Sequence, residues 1–294
     1  GRYIEYAKSS FPRRMTLDGM RIVIDCANGA TYKSTPCVLR ELGAETFVYG
    51  DSPDGTNINK ECGSMYPDHL AAKVKEYRAD IGIAHDGDGD RVILCDEAGT
   101  ILDGDDVMAI CGLDMLAKGT LNSKTVVTTI MSNAGMDVAI KQAGGKIIRT
   151  GVGDKNVIDA MLKGDLNLGG EESGHLIFSD YSSTGDGLVA AMQVLATMKE
   201  KDMRLSQLRK CWTRFPKKVT NIRVKSKPEF ETLDGVLDLV RTAEKDLKAS
   251  GGRVLLRYSG TEPKCRLLIE SSDRKLIDKW TNQITDSIKK QIGA

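Results

Sequence analysis

The chain has 294 residues, 42 of them Lys or Arg and 41 Asp or Glu, for a formal net charge of +1. That balance excludes a strongly basic nucleic-acid binder and an acidic tail protein, and 40% hydrophobic with 28% charged residues describes a globular protein with real cores. No run approaches the ~18 apolar residues of a membrane span, and the charged opening from Gly1 to Lys8 has no signal-peptide core.

The elements follow in chain order. Residues 21–25 read as a strand, 32–42 as a helix, 45–49 as a strand and 67–77 as a helix with Pro67 in its first turn. Strands follow at 80–84 and 91–95 around a polar loop, then a helix over 103–116 whose acidic start suits the helix dipole. The theme restarts with a strand at 125–130, a helix at 134–143, a strand at 146–148, a helix at 156–162, a strand at 175–178 and a helix over 187–199. A different pattern closes the chain: a strand at 219–224, a long helix over 229–248, strands at 254–257 and 265–270, and a helix over 274–292. The fold class is therefore α/β, with two consecutive mixed-sheet α/β domains followed by a small α+β C-terminal domain. The two α/β units suggest a structural duplication without a residue-level repeat. The expected divisions are 1–17 as a linker, 18–118, 119–213 and 214–294.

Seven cysteines are scattered at 26, 37, 62, 95, 111, 211 and 265 with no CxxC pair, which argues against a disulfide framework or zinc ribbon and fits reduced thiols in the cytoplasm. The sharpest chemical feature is His85-Asp86-Gly87-Asp88-Gly89-Asp90-Arg91. Its glycines let the backbone turn tightly, so Asp86, Asp88 and Asp90 can converge on one hard cation such as Mg²⁺. A solvated turn would instead leave three carboxylates close together and unneutralised. An EF-hand alternative aligns Asp86, Asp88, Asp90 and Glu97, but it meets Arg91 where that loop needs glycine, and its flanks read as strands. The second feature, Gly169-Gly170-Glu171-Glu172-Ser173-Gly174-His175, offers donors and acceptors for sugar hydroxyls at Glu171, Ser173 and His175, and an imidazole able to move protons; a plain glycine-rich turn is its structural alternative. The third, Arg257-Tyr258-Ser259-Gly260-Thr261-Glu262-Pro263, with Lys264 and Arg266 beyond, has the parts of a phosphate cradle, or of a structural hairpin. Gly151 to Lys155 is a weak glycine turn, and Ser183-Thr184-Gly185-Asp186-Gly187 reads equally as a helix cap. His69 reads as a structural helix residue.

In this order the three loops resemble the α-D-phosphohexomutase family, over essentially the whole chain. Residues 1–6, 23–30, 57–59, 131–133, 152–154 and 183–187 are similar to its glucosamine-phosphate branch. The resemblance implies four domains around one cleft: a first carrying a phosphoserine in a Ser-His-Asn context, a second holding Mg²⁺, a third reading the sugar and a fourth clamping the substrate phosphate. This sequence contains no Ser-His-Asn, and its opening resembles the family's exit from the first domain. The resemblance thus implies that the nucleophile domain is missing here, that it packs against this chain, and that this chain alone is inactive. The implied reaction interconverts glucosamine 6-phosphate and glucosamine 1-phosphate, with a hexose bisphosphate as activator. The implied roles are Asp86, Asp88 and Asp90 on metal; Arg91 on the reacting phosphate; Glu171, Ser173, His175 and Asp154 at the sugar; and Arg257, Ser259, Gly260, Thr261 and Arg266 on the distal phosphate. Tyr258 and the pair Lys264-Cys265 depart from the family pattern. The alternatives are a member acting on mannose or glucose phosphates, or a non-catalytic phosphosugar-binding module.

Overall fold

The computed structural model describes all residues from 1 to 294. It divides into two compact units, one formed by residues 1–132 with 139–212 and the other by residues 133–138 with 213–294.

The first unit holds two mixed sheets. In the first, β1 (Arg21–Asp25) runs parallel to both β2 (Glu45–Tyr49) and β3 (Ile81–His85), with helices α2 (Ser34–Glu41) and α3 (Pro67–Glu76) as crossovers. An antiparallel hairpin joins β3 to β4 (Val92–Asp96), and the short β5 (Ile101–Leu102) closes the edge, giving the order β2-β1-β3-β4-β5. All five residues of β3 are buried, as a central strand covered on both faces requires. Leu70 and Val74 of α3 pack on Val23, Ala84 and Cys95. Fully burying each such aliphatic side chain contributes about 1.5–3 kcal/mol.

The second sheet repeats that plan. β6 (Thr125–Thr129) runs parallel to β7 (Lys146–Thr150) and to β8 (Leu168–Gly170), and β9 (Leu176–Phe178) is antiparallel to β8. The order β7-β6-β8-β9 matches β2-β1-β3-β4 strand for strand, so the duplication exists in topology. Helix α5 (Ala134–Gln142) follows β6, and α6 (Asp154–Gly164) lays Val157 and Met161 against Val127 and Ile177. Two helices, α4 (Gly104–Lys118) and α7 (Gly187–Lys201), pack on each other and are buried over most of their length. Asp103 and Asp106 form a capping box on α4, and Asp186 caps α7 by accepting from the Val189 N–H at 3.0 Å.

The second unit is the small α+β module. β10 (Lys217–Arg223) and β11 (Arg253–Tyr258) flank β12 (Lys264–Glu270) in an antiparallel sheet. Helix α10 (Arg274–Ile292) begins where the sequence places it, because Asp273 caps it and Ile277, Trp280, Ile284, Ile288 and Ile292 recur on one buried face.

Three local expectations are corrected. The helix expected over 229–248 is α9 (Val236–Lys248), preceded by a single 3₁₀ turn at Phe230–Thr232. Gly235 at its start has φ of +64°, a left-handed conformation that no helix propagates through. Gly169 and Gly170 belong to β8 rather than to a loop. Within the 1–17 segment, Arg2–Ser9 forms a helix, α1, with Ala7 buried, and Leu205–Leu208 forms a further short helix, α8. All seven cysteines are free, and no helix is long and apolar enough to cross a membrane.

Candidate functional site

The acidic loop leaves the carboxyl end of β3, where open α/β sheets commonly present ligands. Asp86 turns back on its own loop: its Oδ1 accepts from the Gly89 N–H at 3.1 Å and the Arg91 N–H at 3.2 Å. Burial pushes the Asp86 carboxyl above the usual carboxylate range, and the neighbouring Asp90 carboxyl adds to the shift. Asp90 Oδ1 is buried without a hydrogen-bond partner. Arg91 Nε lies 3.9 Å from Asp86 Oδ2. Asp88 is exposed on the loop. Two crowded, partly desolvated carboxyls, one with an orphaned oxygen, are a donor set that suits a hard divalent cation.

The loop is held from behind by the segment after β1. The buried Asp25 accepts from the Ala27 N–H at 2.9 Å and the Gly63 N–H at 2.6 Å, which fixes the turn at 26–29. From that turn the Ala30 N–H donates to the Gly87 carbonyl at 2.8 Å. Gly29 approaches Gly87 so closely that a Cβ there would sit 2.2 Å from the same carbonyl oxygen. His85 is fully buried, with Nε2 3.0 Å from the Thr35 hydroxyl, and burial lowers its pKa to about 4. The neutral ring therefore serves as a buried spacer under the loop.

The glycine-rich turn between β8 and β9 docks against this loop. Arg91 and His175 form an antiparallel bridge, and the Val92 N–H donates to the Gly174 carbonyl at 3.1 Å. His175 is 4% exposed, and its Nε2 lies 3.6 Å from Asp90 Oδ2. The ring thus faces the acidic loop rather than open solvent. Ser173 is exposed at the tip of the turn. Glu171 is half-buried; its Oε1 accepts from the Gly153 N–H at 3.0 Å, which brings the turn carrying the exposed Asp154 alongside. The Gly187 N–H at the start of α7 donates to the Gly89 carbonyl at 3.0 Å. One end of a helix thereby supports the acidic loop, a role hidden in a sequence segment that reads as a simple cap.

Sequence reasoning missed another acidic grouping. Ligand atoms of Asp103, Asp105 and Glu172 lie within 4.8 Å of one another. The sequence shows two of these only as the acidic first turn of a helix, and Asp103 does cap α4. A cavity of about 400 Å³ elsewhere in this unit, lined by Arg13, Asp114 and Lys118 among others, contains none of the sequence-predicted site residues.

In the second unit, the β11–β12 hairpin gathers Arg257, Ser259, Gly260, Thr261 and Arg266. Ser259 is buried; its N–H donates to the Lys264 carbonyl at 2.9 Å, and its hydroxyl accepts from the Glu262 N–H at 3.3 Å. Gly260 and Thr261 are exposed at the tip. Arg257 stands opposite Arg266 in the register, a repulsive placement relieved on one side by Glu262. That carboxylate pairs with Lys264 Nζ at 2.5 Å and Arg266 at 3.0 Å, and it is held below the usual range by Lys264 first and Arg266 second. The hairpin presents hydroxyl, backbone N–H and cationic groups of the kind that hold a phosphate.

Residues 1–99, 103–215 and 219–287 match, in turn, the alpha/beta/alpha domain II, the alpha/beta/alpha domain III and the C-terminal domain of the phosphoglucomutase/phosphomannomutase family. A phosphoglucosamine mutase of Geotalea daltonii is 50% identical over 293 residues, covering 100% of this chain and 64% of the relative. The chain thus spans less than two thirds of the length of that relative. Among solved structures, a phosphoglucomutase/phosphomannomutase family protein of Burkholderia thailandensis superposes with a TM-score of 0.79 at 20% identity, covering 100% of this chain and 66% of its own. The N-acetylphosphoglucosamine mutase of Aspergillus fumigatus, solved in complex with GlcNAc-6P and magnesium, gives a TM-score of 0.75 at 19% identity, covering 97% of this chain and 69% of its own. At those identities the two structures speak for the fold.

Proposed function

Because the chain belongs to the phosphoglucomutase/phosphomannomutase family, with three successive domains of it in family order, we propose that it is the metal-, sugar- and phosphate-binding part of a phosphoglucosamine mutase. The proposed reaction interconverts glucosamine 6-phosphate and glucosamine 1-phosphate through a phosphoserine enzyme and a hexose bisphosphate intermediate. It belongs to a cytoplasmic route toward activated amino sugar. The observation that carries this reading is the junction of two loops: the Arg91–His175 bridge and the 3.6 Å approach of His175 to Asp90 join the acidic loop to the sugar turn.

The roles follow from chemistry. Asp86, Asp88 and Asp90, in the portion proposed as the metal domain (18–118), would hold magnesium, which when bound neutralises charge on a transferring phosphoryl group. Arg91, exposed beside Asp86, pairs with the reacting phosphate. In the portion proposed as the sugar domain (119–213), Ser173 and the second oxygen of Glu171 meet the hydroxyls, and Asp154 stands beside them. His175 contributes by orienting Asp90 and by holding or moving a proton at Nε2. In the portion proposed as the phosphate domain (214–294), Arg257, Ser259, Gly260, Thr261 and Arg266 hold the phosphate that is not reacting. Such remote positioning is most of what phosphoryl transfer asks of a protein.

No Ser-His-Asn occurs in this sequence, so we place the phosphoryl donor in the portion of the relatives that this chain does not span, packed against it. The test is ³¹P NMR of glucosamine 6-phosphate with the 294-residue chain, Mg²⁺ and a hexose bisphosphate. A shifted or broadened substrate signal without product is expected. Appearance of glucosamine 1-phosphate would mean that a nucleophile resides in this chain, and no effect on the substrate signal would remove the phosphosugar assignment.

A further inference from the structure

The cations of the β11–β12 hairpin fall into two classes. Lys264 and Arg266 are already matched by Glu262. Arg257 has no carboxylate partner, and neither does a residue outside the motif, Lys227. Its Nζ donates to the Ser259 carbonyl at 2.6 Å, which places an ammonium against the backbone of the residue next to Arg257's neighbour Tyr258. That bond uses one of three ammonium donors and leaves the charge unneutralised.

The placement of Lys227 has a visible cause. Phe230, three residues on, stacks face to face on Tyr258 with centroids 4.3 Å apart and planes 5° from parallel. Pro228 between them has its φ fixed by its ring. The segment 227–230 is therefore pinned to the end of β11 at both ends, by the stack and by the lysine's own bond. Tyr258, which departs from the family pattern, acquires a purpose here: its ring is the platform that sets the segment.

We propose that Lys227 is a phosphate-binding residue of this hairpin, acting with Arg257 on a phosphomonoester dianion, and that the Phe230–Tyr258 stack positions it. The inference rests on the reading of the hairpin as a phosphate cradle. A dianion needs charge that is not already spent, and Arg257 and Lys227, whose ammonium bonds the hairpin backbone, both have it.

The test is calorimetric titration of the full 294-residue chain with glucosamine 6-phosphate and, in parallel, with the monoanionic 6-sulfate. Lys227→Gln should weaken phosphate binding about tenfold and sulfate binding clearly less, while Lys227→Arg stays within about threefold of wild type. Tyr258→Phe, which keeps the stack, should bind as wild type, and Tyr258→Ala should weaken binding in the same direction as Lys227→Gln. If Arg257→Ala weakens binding but Lys227→Gln does not, the inference fails and the cradle stands. Equal losses toward phosphate and sulfate would reduce Lys227 to a loop tether and also overturn it. If neither Arg257→Ala nor Lys227→Gln changes affinity, or if the wild type shows no binding, the cradle reading itself falls and takes this inference with it.

Discussion

Gly29→Ala tests how the acidic loop is held. The new Cβ would lie 2.2 Å from the Gly87 carbonyl oxygen, 2.6 Å from its Cα and 2.7 Å from its carbonyl carbon. Carbon–oxygen contacts settle at about 3.3 Å or more, so one backbone must retreat by roughly 1 Å. Both partners are backbone, and no flexible side chain can absorb the move. The Ala30 N–H to Gly87 carbonyl bond, now 2.8 Å, would stretch to about 3.8 Å, outside hydrogen-bonding range. Overpacking of this kind costs about 1–3 kcal/mol, and losing the bond about 1 kcal/mol more. The strain is relieved if the acidic loop shifts, so part of it should appear as lost cation affinity, at tenfold per 1.4 kcal/mol. Urea unfolding with and without Mg²⁺ separates the parts, since a ligand that binds only the folded chain raises its stability by RT ln(1 + [L]/Kd). The expected result is a metal-free loss of about 2–4 kcal/mol together with a smaller Mg²⁺-induced gain than in wild type. Wild-type stability combined with a wild-type Mg²⁺ gain would refute the reasoning.

Three further outcomes are expected. The pKa of His85 is lowered to about 4 in the folded chain, so the unfolded chain binds the extra proton between about pH 6.5 and 4; stability should fall as pH drops through that window, by about 3 kcal/mol at most, and a His85→Gln variant should lack that component in pH-dependent urea midpoints. Glu270 is fully buried, accepts from the Ala134 N–H at 3.0 Å and pairs with Arg253 at 2.8 Å; Glu270→Ala should cost roughly 2–4 kcal/mol, measured by Trp280 fluorescence in a Trp212→Phe background, and a change under about 1 kcal/mol would contradict it. Ser173 is exposed, so Ser173→Ala should leave melting unchanged while weakening glucosamine 6-phosphate binding about fivefold by calorimetry; unchanged affinity would remove it from the sugar contact.

Much of the fold was legible because its signals are local. The β-branched run 21–25, Pro67 at a helix start and the apolar spacing of 274–292 each act within one element. The misreading at 229–248 has a different origin. The apolar residues there keep a helical spacing, but Pro228 and the left-handed Gly235 break the chain, and Phe230 leaves the helix to stack on Tyr258. The site was legible as chemistry and not as geometry. The motifs name Asp86, Asp88 and Asp90, yet nothing in the spacing says that Asp86 folds back on Gly89 and Arg91 while Asp88 stays exposed. His175 reads as a sugar-facing imidazole; its burial against Asp90 depends on a bridge between residues 84 positions apart in sequence. Asp103, Asp105 and Glu172 come together only through tertiary packing, so no motif announces them. Lys227 lies outside every motif and reaches the β11–β12 hairpin by its bond to the Ser259 carbonyl, beside the Phe230–Tyr258 stack.

The central claim is that the acidic loop and the sugar turn form one metal-dependent site, and a Mg²⁺ titration followed by backbone amide NMR tests it most directly. The account predicts that resonances of residues 86–91 shift and that those of 171–175 shift with them along the same saturation curve, through the Arg91–His175 bridge. Shifts centred on residues 103–105 and 172, with 86–91 unmoved, would place the cation in the other acidic grouping and contradict the account.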